Sequence, residues 1–198
     1  MSRKVTKRSS AGDGYLNGRL LIAMPTMNDP NFEKTVVLLC HHTPETAMGI
    51  VINKALGGMS FDKLLKQLKV DAPRGRRSDL TVHYGGPIQT TRGFVLHSDD
   101  YKNDEATLQV CEGIALTATM DVLKALGHGE GPAQAFFALG YAGWGAGQLE
   151  SELQENAWLV GDAEQGIVFG RELEAKWLEA LTRIGVDPAM VTDAAGHA

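Results

Sequence analysis

The chain has 198 residues, of which 43% are hydrophobic and 22% charged. These are values of a folded globular domain, and one core of this size removes roughly 70% of the unfolded chain's surface from water, which excludes disorder and makes a second core unnecessary. The formal net charge is −5, and four positive charges at Arg3, Lys4, Lys7 and Arg8 leave 15 basic against 24 acidic residues in the rest of the chain; such a body repels phosphate backbones at long range and argues against nucleic-acid binding through it.

Ser9 to Gly14 interrupt any apolar stretch of the roughly 7–15 residues that a secretory signal needs, and no later stretch approaches the roughly 20 of a membrane helix. The expectation is a cytoplasmic protein with no membrane association. Its organisation reads as a basic tail over 1–14, a single domain over 15–186 and a Gly- and Ala-rich tail over 187–198.

In chain order, the first strand signal is the apolar run Leu20 to Ala23, closed by Pro25, through which a central strand cannot continue. Thr35 to His42 reads as a strand buried on both faces. The loop between them contains Asp29, whose carboxylate is placed to cap local amides, and Phe32, directed into the core. Ala47 to Asn53 forms a third strand, in a hairpin with the second. Phe61, Leu64, Leu65 and Leu68 recur at helical spacing behind Ser60, an N-cap residue.

Asp71 to Asp79 is a polar, arginine-bearing stretch that predicts an exposed loop. Strands follow at Leu80 to Tyr84 and at Gly93 to His97, joined by a Gly85-Gly86-Pro87-Ile88 turn, and another at Leu108 to Glu112. Met120, Leu123 and Leu126 mark a helix stopped by Gly127. Ala133 to Tyr141 is a strand, followed by a glycine-rich turn at Gly143, Gly145 and Gly147 and a helix through Leu149 and Leu153. Ala157 to Val160 and Ile167 to Phe169 pair as a closing hairpin, and Leu173, Trp177, Leu181 and Ile184 give the last helix. Short connections make several neighbouring strands antiparallel. The fold class is α+β, with a mixed or antiparallel sheet curled toward a barrel and flanked by helices.

Cys40 and Cys111 sit in apolar, strand-like runs and read as packed thiols. Cys40-His41-His42 has metal-ligand chemistry, but adjacent residues on a strand face opposite sides, so both histidines cannot reach one ion without a bend. No metal and no cofactor is expected. The Gly140 to Gly147 run departs from dinucleotide-binding spacing, since the third glycine would fall on Gln148, and Glu150 and Glu152 offset the positive end of the following helix. No serine–histidine–acid pattern, phosphate loop or paired-carboxylate signature appears.

Three stretches, Gly18 to Leu39, Gly85 to His97 and Gly140 to Leu159, together with the AGHA ending at Ala195 to Ala198, resemble the YqgE/AlgH family of bacterial proteins. The resemblance implies a compact α+β domain with a bifurcated sheet folded toward a pseudo-barrel. It carries no accepted catalytic residue set, and some members are described as transcriptional regulators. The doubled histidine at His41-His42 departs from the single histidine more usual in the family.

The expected functional surface is where Gly85, Gly86, Pro87, Arg92, His97, Tyr141, Trp144 and Gln148 converge. Glycines permit close approach, Arg92 can grip a carboxylate through two hydrogen bonds, His97 titrates near neutrality and Trp144 can anchor a partner. The expected function is a regulatory or binding domain acting through a protein or small-ligand partner, as a monomer or weak homo-oligomer. The alternative is an enzyme, hydrolase-like, with a cleft near Arg92 and His97.

Overall fold

The structure, a computed structural model, describes residues 14–70, 80–103 and 106–187. The expected loop over 71–79 and, apart from Gly14 and Asp187, both tails lie outside the described residues. Ten strands and five α-helices succeed one another as β1 (Arg19–Ala23), β2 (Val36–His42), β3 (Thr46–Val51), β4 (Ala55–Ser60), α1 (Phe61–Gln67), β5 (Thr81–Tyr84), β6 (Ile88–Ser98), β7 (Thr107–Cys111), β8 (Ile114–Thr117), α2 (Met120–His128), β9 (Ala135–Gly145), α3 (Gln148–Gln154), β10 (Trp158–Asp162), α4 (Gln165–Val168) and α5 (Lys176–Arg183).

The strands join in the order β10-β1-β2-β3-β9-β6-β8-β7, with β4 and β5 branching from β9. Every pairing is antiparallel except that of β5 with β9. The sheet curls into a half-barrel with flanking helices; its curl brings Cys111, on the β7 edge, against Gly18, just before β1. The α+β class follows from this arrangement.

β9 organises the molecule. Residues 137–139 pair with β5 on one edge and with β6 on the other, and residues 142–145 pair with β3. Strands β5 and β6 are therefore separated by β9, and Gly85-Gly86-Pro87 carries the chain across it. The crossing is tight: Gly85 N–H donates to the Leu139 carbonyl at 2.8 Å, and a Cβ on Gly86 would stand 2.1 Å from the Tyr141 carbonyl carbon. Gly140, with φ +74°, lies directly beneath, where a Cβ would meet the Gly86 oxygen at 2.3 Å. Only residues without a side chain allow two backbones this close. The left-handed turn of Gly140 also shifts the alternation of β9, so that Phe136, Ala138 and Tyr141 share one core while Phe137 and Leu139 face another.

Helix α1 begins where expected, with Ser60 Oγ accepting from Lys63 N and with Phe61, Leu64 and Leu65 buried. Several expectations need correction. The stop of α2 is the left-handed Gly129, and Gly127 is buried inside the helix. Gly143 and Gly145 belong to β9, leaving only Gly147 as the N-cap of α3. Ile167 and Val168 lie in α4, and β10 pairs with β1 instead of forming a closing hairpin. β4 and β8 were not anticipated.

Lys176 at the start of α5 is 1% exposed. Its ammonium donates to the Ile52 and Val168 carbonyls at 3.0 and 2.7 Å, tying α4 and the end of β3 to α5. Burial lowers its pKa to about 8, with Glu179 opposing. His83 on β5, also 1% exposed, stacks on Phe136 at 4.0 Å and shares a 2.8 Å hydrogen bond between Nε2 and Thr81 Oγ1.

Candidate functional site

Strands β2, β3 and β9 set His41, Met48 and Gly143 abreast. Because Gly143 has no side chain, Ile88 and the Tyr141 ring fold over it. Arg92 and Phe94 on β6, with Trp144 and Gln148, complete an open groove of about 560 Å³. Arg92 lays its guanidinium 5.2 Å from the centre of the Phe94 ring, and Phe94 meets Tyr141 edge to face at 6.0 Å. Its one hydrogen bond given by the structure is a long contact of 3.4 Å to Gln89 Oε1. Among the described residues no carboxylate is paired with Arg92, so its fork of N–H donors stands exposed at the groove.

Four of the expected residues, Arg92, Tyr141, Trp144 and Gln148, therefore line one groove. Their polar atoms are not equally available. Gln148 accepts from Gly145 N at 3.1 Å and donates to Glu152 Oε1 at 2.9 Å, which occupies both ends of its amide. Trp144 is 4% exposed, packed between Phe32 and Trp158. Gly85, Gly86 and Pro87 do not line the groove; the two glycines serve the crossing over β9. His97 is separate too. It is 0% exposed, with Nδ1 on the Ser98 carbonyl at 2.8 Å and Nε2 on Thr117 Oγ1 at 2.9 Å, and burial lowers its pKa. Parity decides this: Phe94 and Leu96 turn to one side of β6, while Gly93, Val95 and His97, in unbroken register with β9, turn to the other, away from the groove.

His41 is a groove residue that the sequence reading did not group with the others. It is exposed while His42 is buried, as strand alternation requires. Reading the β2–β3 hairpin forward to β9 would have found it. His42 is fully engaged: Leu16 N–H donates to Nδ1 at 3.0 Å, so the ring proton sits on Nε2, 2.8 Å from Glu150 Oε1. Glu150 is held below its ordinary pKa chiefly by its own backbone amide, against desolvation, with His42 adding to the lowering. Among the described residues no group of three or more His, Cys, Asp or Glu side chains could hold a metal. Cys40 is buried and its thiol is pushed up to about 12 by desolvation and by neighbouring Cys111, which makes it a poor nucleophile.

Beneath the groove, Glu152 Oε2 accepts the indole N–H groups of both Trp144 and Trp158 at 2.8 Å. Removing that acceptor leaves two buried donors unserved at about 1–3 kcal/mol each. Glu152→Ala is expected to lower the unfolding free energy by about 2–4 kcal/mol, and Glu152→Gln by less, since an amide oxygen remains. Urea denaturation followed by tryptophan fluorescence checks this; a loss below about 0.5 kcal/mol for Glu152→Ala would show that water serves the indoles equally well.

The fold and groove together define an α+β half-barrel built on one shared strand, with an arginine-bearing surface cleft. Comparison with known proteins places it further. The AlgH-like family model matches residues 20–189, and the chain belongs to that family. It is 50% identical to a UPF0301 protein of Afipia carboxidovorans over 97% of this chain and 94% of the other, and 50% identical to one from Rhodospirillum rubrum over 94% and 96%. The solution structure of the AlgH protein from Pseudomonas aeruginosa superposes with a TM-score of 0.78 at 44% identity, covering 98% of this chain and all of that one. A Corynebacterium diphtheriae protein shares the fold at a TM-score of 0.71 and 15% identity, over 91% of each chain. Among the described residues no helix is long and apolar enough to cross a membrane.

Proposed function

We propose that the protein is a regulatory binding domain whose groove takes a carboxylate, carried by a small ligand or by an acidic side chain of a protein partner. The observation behind this reading is the position of Arg92, laid on an aromatic ring at the mouth of an open cleft and unpaired with any carboxylate among the described residues. A guanidinium so placed offers parallel N–H donors to a carboxylate, and charge-assisted bonds of this kind are the stronger class. His41, exposed across the groove, adds an imidazole N–H donor. If the family's regulatory description extends to this chain, its acidic body favours action through a protein over direct contact with DNA.

Calorimetric titration with glutarate, citrate and an acetylated glutamate-rich peptide tests the reading. Arg92→Ala is expected to weaken the best of these by about 10–100-fold with unchanged melting temperature, and Arg92→Lys to restore only part of the affinity. Absence of binding by all three, or equal binding by Arg92→Ala, overturns it. The hydrolase-like alternative paired Arg92 with His97; the burial of His97 in a separate network removes that pairing as its basis.

A further inference from the structure

Ile88 stands opposite Tyr141 where β6 first meets β9. Its side chain reaches along β9 to the place that a side chain on Gly143 would fill: a Cβ there would stand 2.8 Å from Ile88 Cδ1 and 3.2 Å from Tyr141 Cε2. Met48 lies beside Gly143 on β3, and His41 beside Met48 on β2. With β3 and β9 set between β2 and β6, the floor of the groove from Arg92 to His41 is an apolar shelf of Ile88, Tyr141, Gly143 and Met48. Ile88 is 37% exposed, and Met48 and Tyr141 are half-buried.

The polar groups of the groove select the kind of carboxylate. Its lining holds one permanent cation, Arg92, and no acidic side chain. Thr46 Oγ1 is taken by the Trp144 carbonyl at 3.3 Å, the Gln148 amide by Gly145 and Glu152, and the Trp144 indole by Glu152. Among the groove's side chains, Arg92, His41 and the Tyr141 hydroxyl remain to meet a ligand. A second carboxylate would have to lie on the shelf and lose hydration with no counter-ion to replace it. A hydrocarbon body there removes apolar area from water on both partners. We propose that the occupant is a monocarboxylate with an apolar body of about six to ten carbons, its carboxylate on Arg92 and its body along Ile88, Tyr141, Gly143 and Met48. This inference rests on the carboxylate reading of the Arg92 groove and narrows it to one ligand class.

Calorimetric titration of the full chain with acetate, butanoate, hexanoate and octanoate tests this. Affinity is expected to rise about 30-fold or more from acetate to octanoate, since each methylene laid on the shelf leaves water on one side. Glutarate is expected to bind at least about fivefold more weakly than hexanoate, because its second charge must be desolvated. Octanamide is expected to bind at least about tenfold more weakly than octanoate, because it offers Arg92 no charge. Arg92→Ala is expected to weaken octanoate about 10–100-fold. Ile88→Ser, at an exposed position, is expected to weaken octanoate about threefold or more and acetate less, with unchanged melting temperature; the length series on the unaltered chain does not depend on that variant. Affinity that is flat from acetate to octanoate, or glutarate binding as well as hexanoate, overturns this inference, and leaves the carboxylate reading standing if Arg92→Ala still weakens the acids. Octanoate binding that Arg92→Ala leaves unchanged overturns this inference by placing the acid elsewhere, and no binding by any acid, glutarate included, overturns both. An acetylated peptide with a free C-terminal phenylalanine that binds at least about tenfold more tightly than octanoate, and loses that binding when amidated, would overturn the small-molecule occupant in favour of a partner protein's C-terminus.

Discussion

Acidification is expected to remove about 5 kcal/mol of stability through His83 alone as the pH falls from 6.5 to 3. Burial, with the nearby Lys176 ammonium adding to it, lowers this imidazole to about 3 against the pull of the Ile52 backbone. Its folded pKa lies below the unfolded value of about 6.5. Between the two, the unfolded chain binds a proton that the folded chain refuses, so the contribution is complete above pH 6.5 and declines as pH drops through the window. The slope is about 1.4 kcal/mol per pH unit. His97 is shifted in the same sense by its own burial and steepens the loss.

Carboxylates titrate in this range as well, so the measurement is a difference. Urea unfolding of the wild type and of His83→Gln, compared at pH 7, 5.5 and 4.5, is expected to show the gap between them narrowing or reversing at about that slope, because glutamine keeps a partner for Thr81 but does not titrate. Parallel curves would mean that His83 takes up its proton in the folded protein, and the burial argument would fail.

Gly86→Ala is expected to cost more than about 4 kcal/mol and to leave little folded protein. The new Cβ would lie 2.1, 2.3 and 2.4 Å from Tyr141 C, Tyr141 O and Ala142 N, and φ there is +149°. All three neighbours are backbone atoms of β9, which is held on both edges, so no rotamer change relieves the overlap. Gly58→Ala is the control: φ is +78°, yet nothing lies within 4 Å of the added atom, and only the conformational cost of about 1–2 kcal/mol remains. Soluble expression and thermal unfolding compare the two. Equal losses would show that the crossing of β9 has room for a side chain.

The residues that carry strong local signals were legible in the sequence. Ser60 with its Leu64 and Leu65 face gave α1, the β-branched run at Val36 gave β2, and the two-sided burial of that strand followed from its unbroken apolar character. Asp29 capping Asn31 N at 2.8 Å was local as well, and the core-directed reading of Phe32 held although the two indoles it packs on are distant in sequence. What escaped depended on distant partners. β4, ALGGMS, has glycines where strand propensity is low and is a strand only because β5 lies beside it. Ile167 and Val168 look strand-like, but they lie in α4, from which they enter a core shared by the sheet and α5. The same limit applies to the groove. Arg92, Tyr141 and Trp144 could be grouped by their glycine-rich surroundings, whereas His41 enters only through the pairing of β2, β3 and β9, and His97 leaves because it faces the other side of β6, where its ring meets Thr117 on β8. The glycines of the Gly85-Gly86-Pro87 turn were read as room for a ligand or a backbone, and the structure fills that room with β9.

The division of β9 among several cores has a consequence for the order of events during synthesis. Phe136 and Ala138 belong to one apolar cluster, Ala142 and Trp144 to a second, and Phe137 to a third, so each cluster lacks part of its filling until Gly145 has left the ribosome. At about 5–20 residues per second, strands β1 to β3, complete at Val51, wait roughly 5–20 s for that strand. During this interval the aliphatic side chains of Val36 to Leu39, fully enclosed in the finished protein, have no permanent cover. The nascent chain thus passes through a stage in which the β2–β3 hairpin is open to chaperones or to other nascent chains; β9 closes the cluster of Phe137, while the other two close only with the later Leu149 and Trp158, and Ile167 and Trp177.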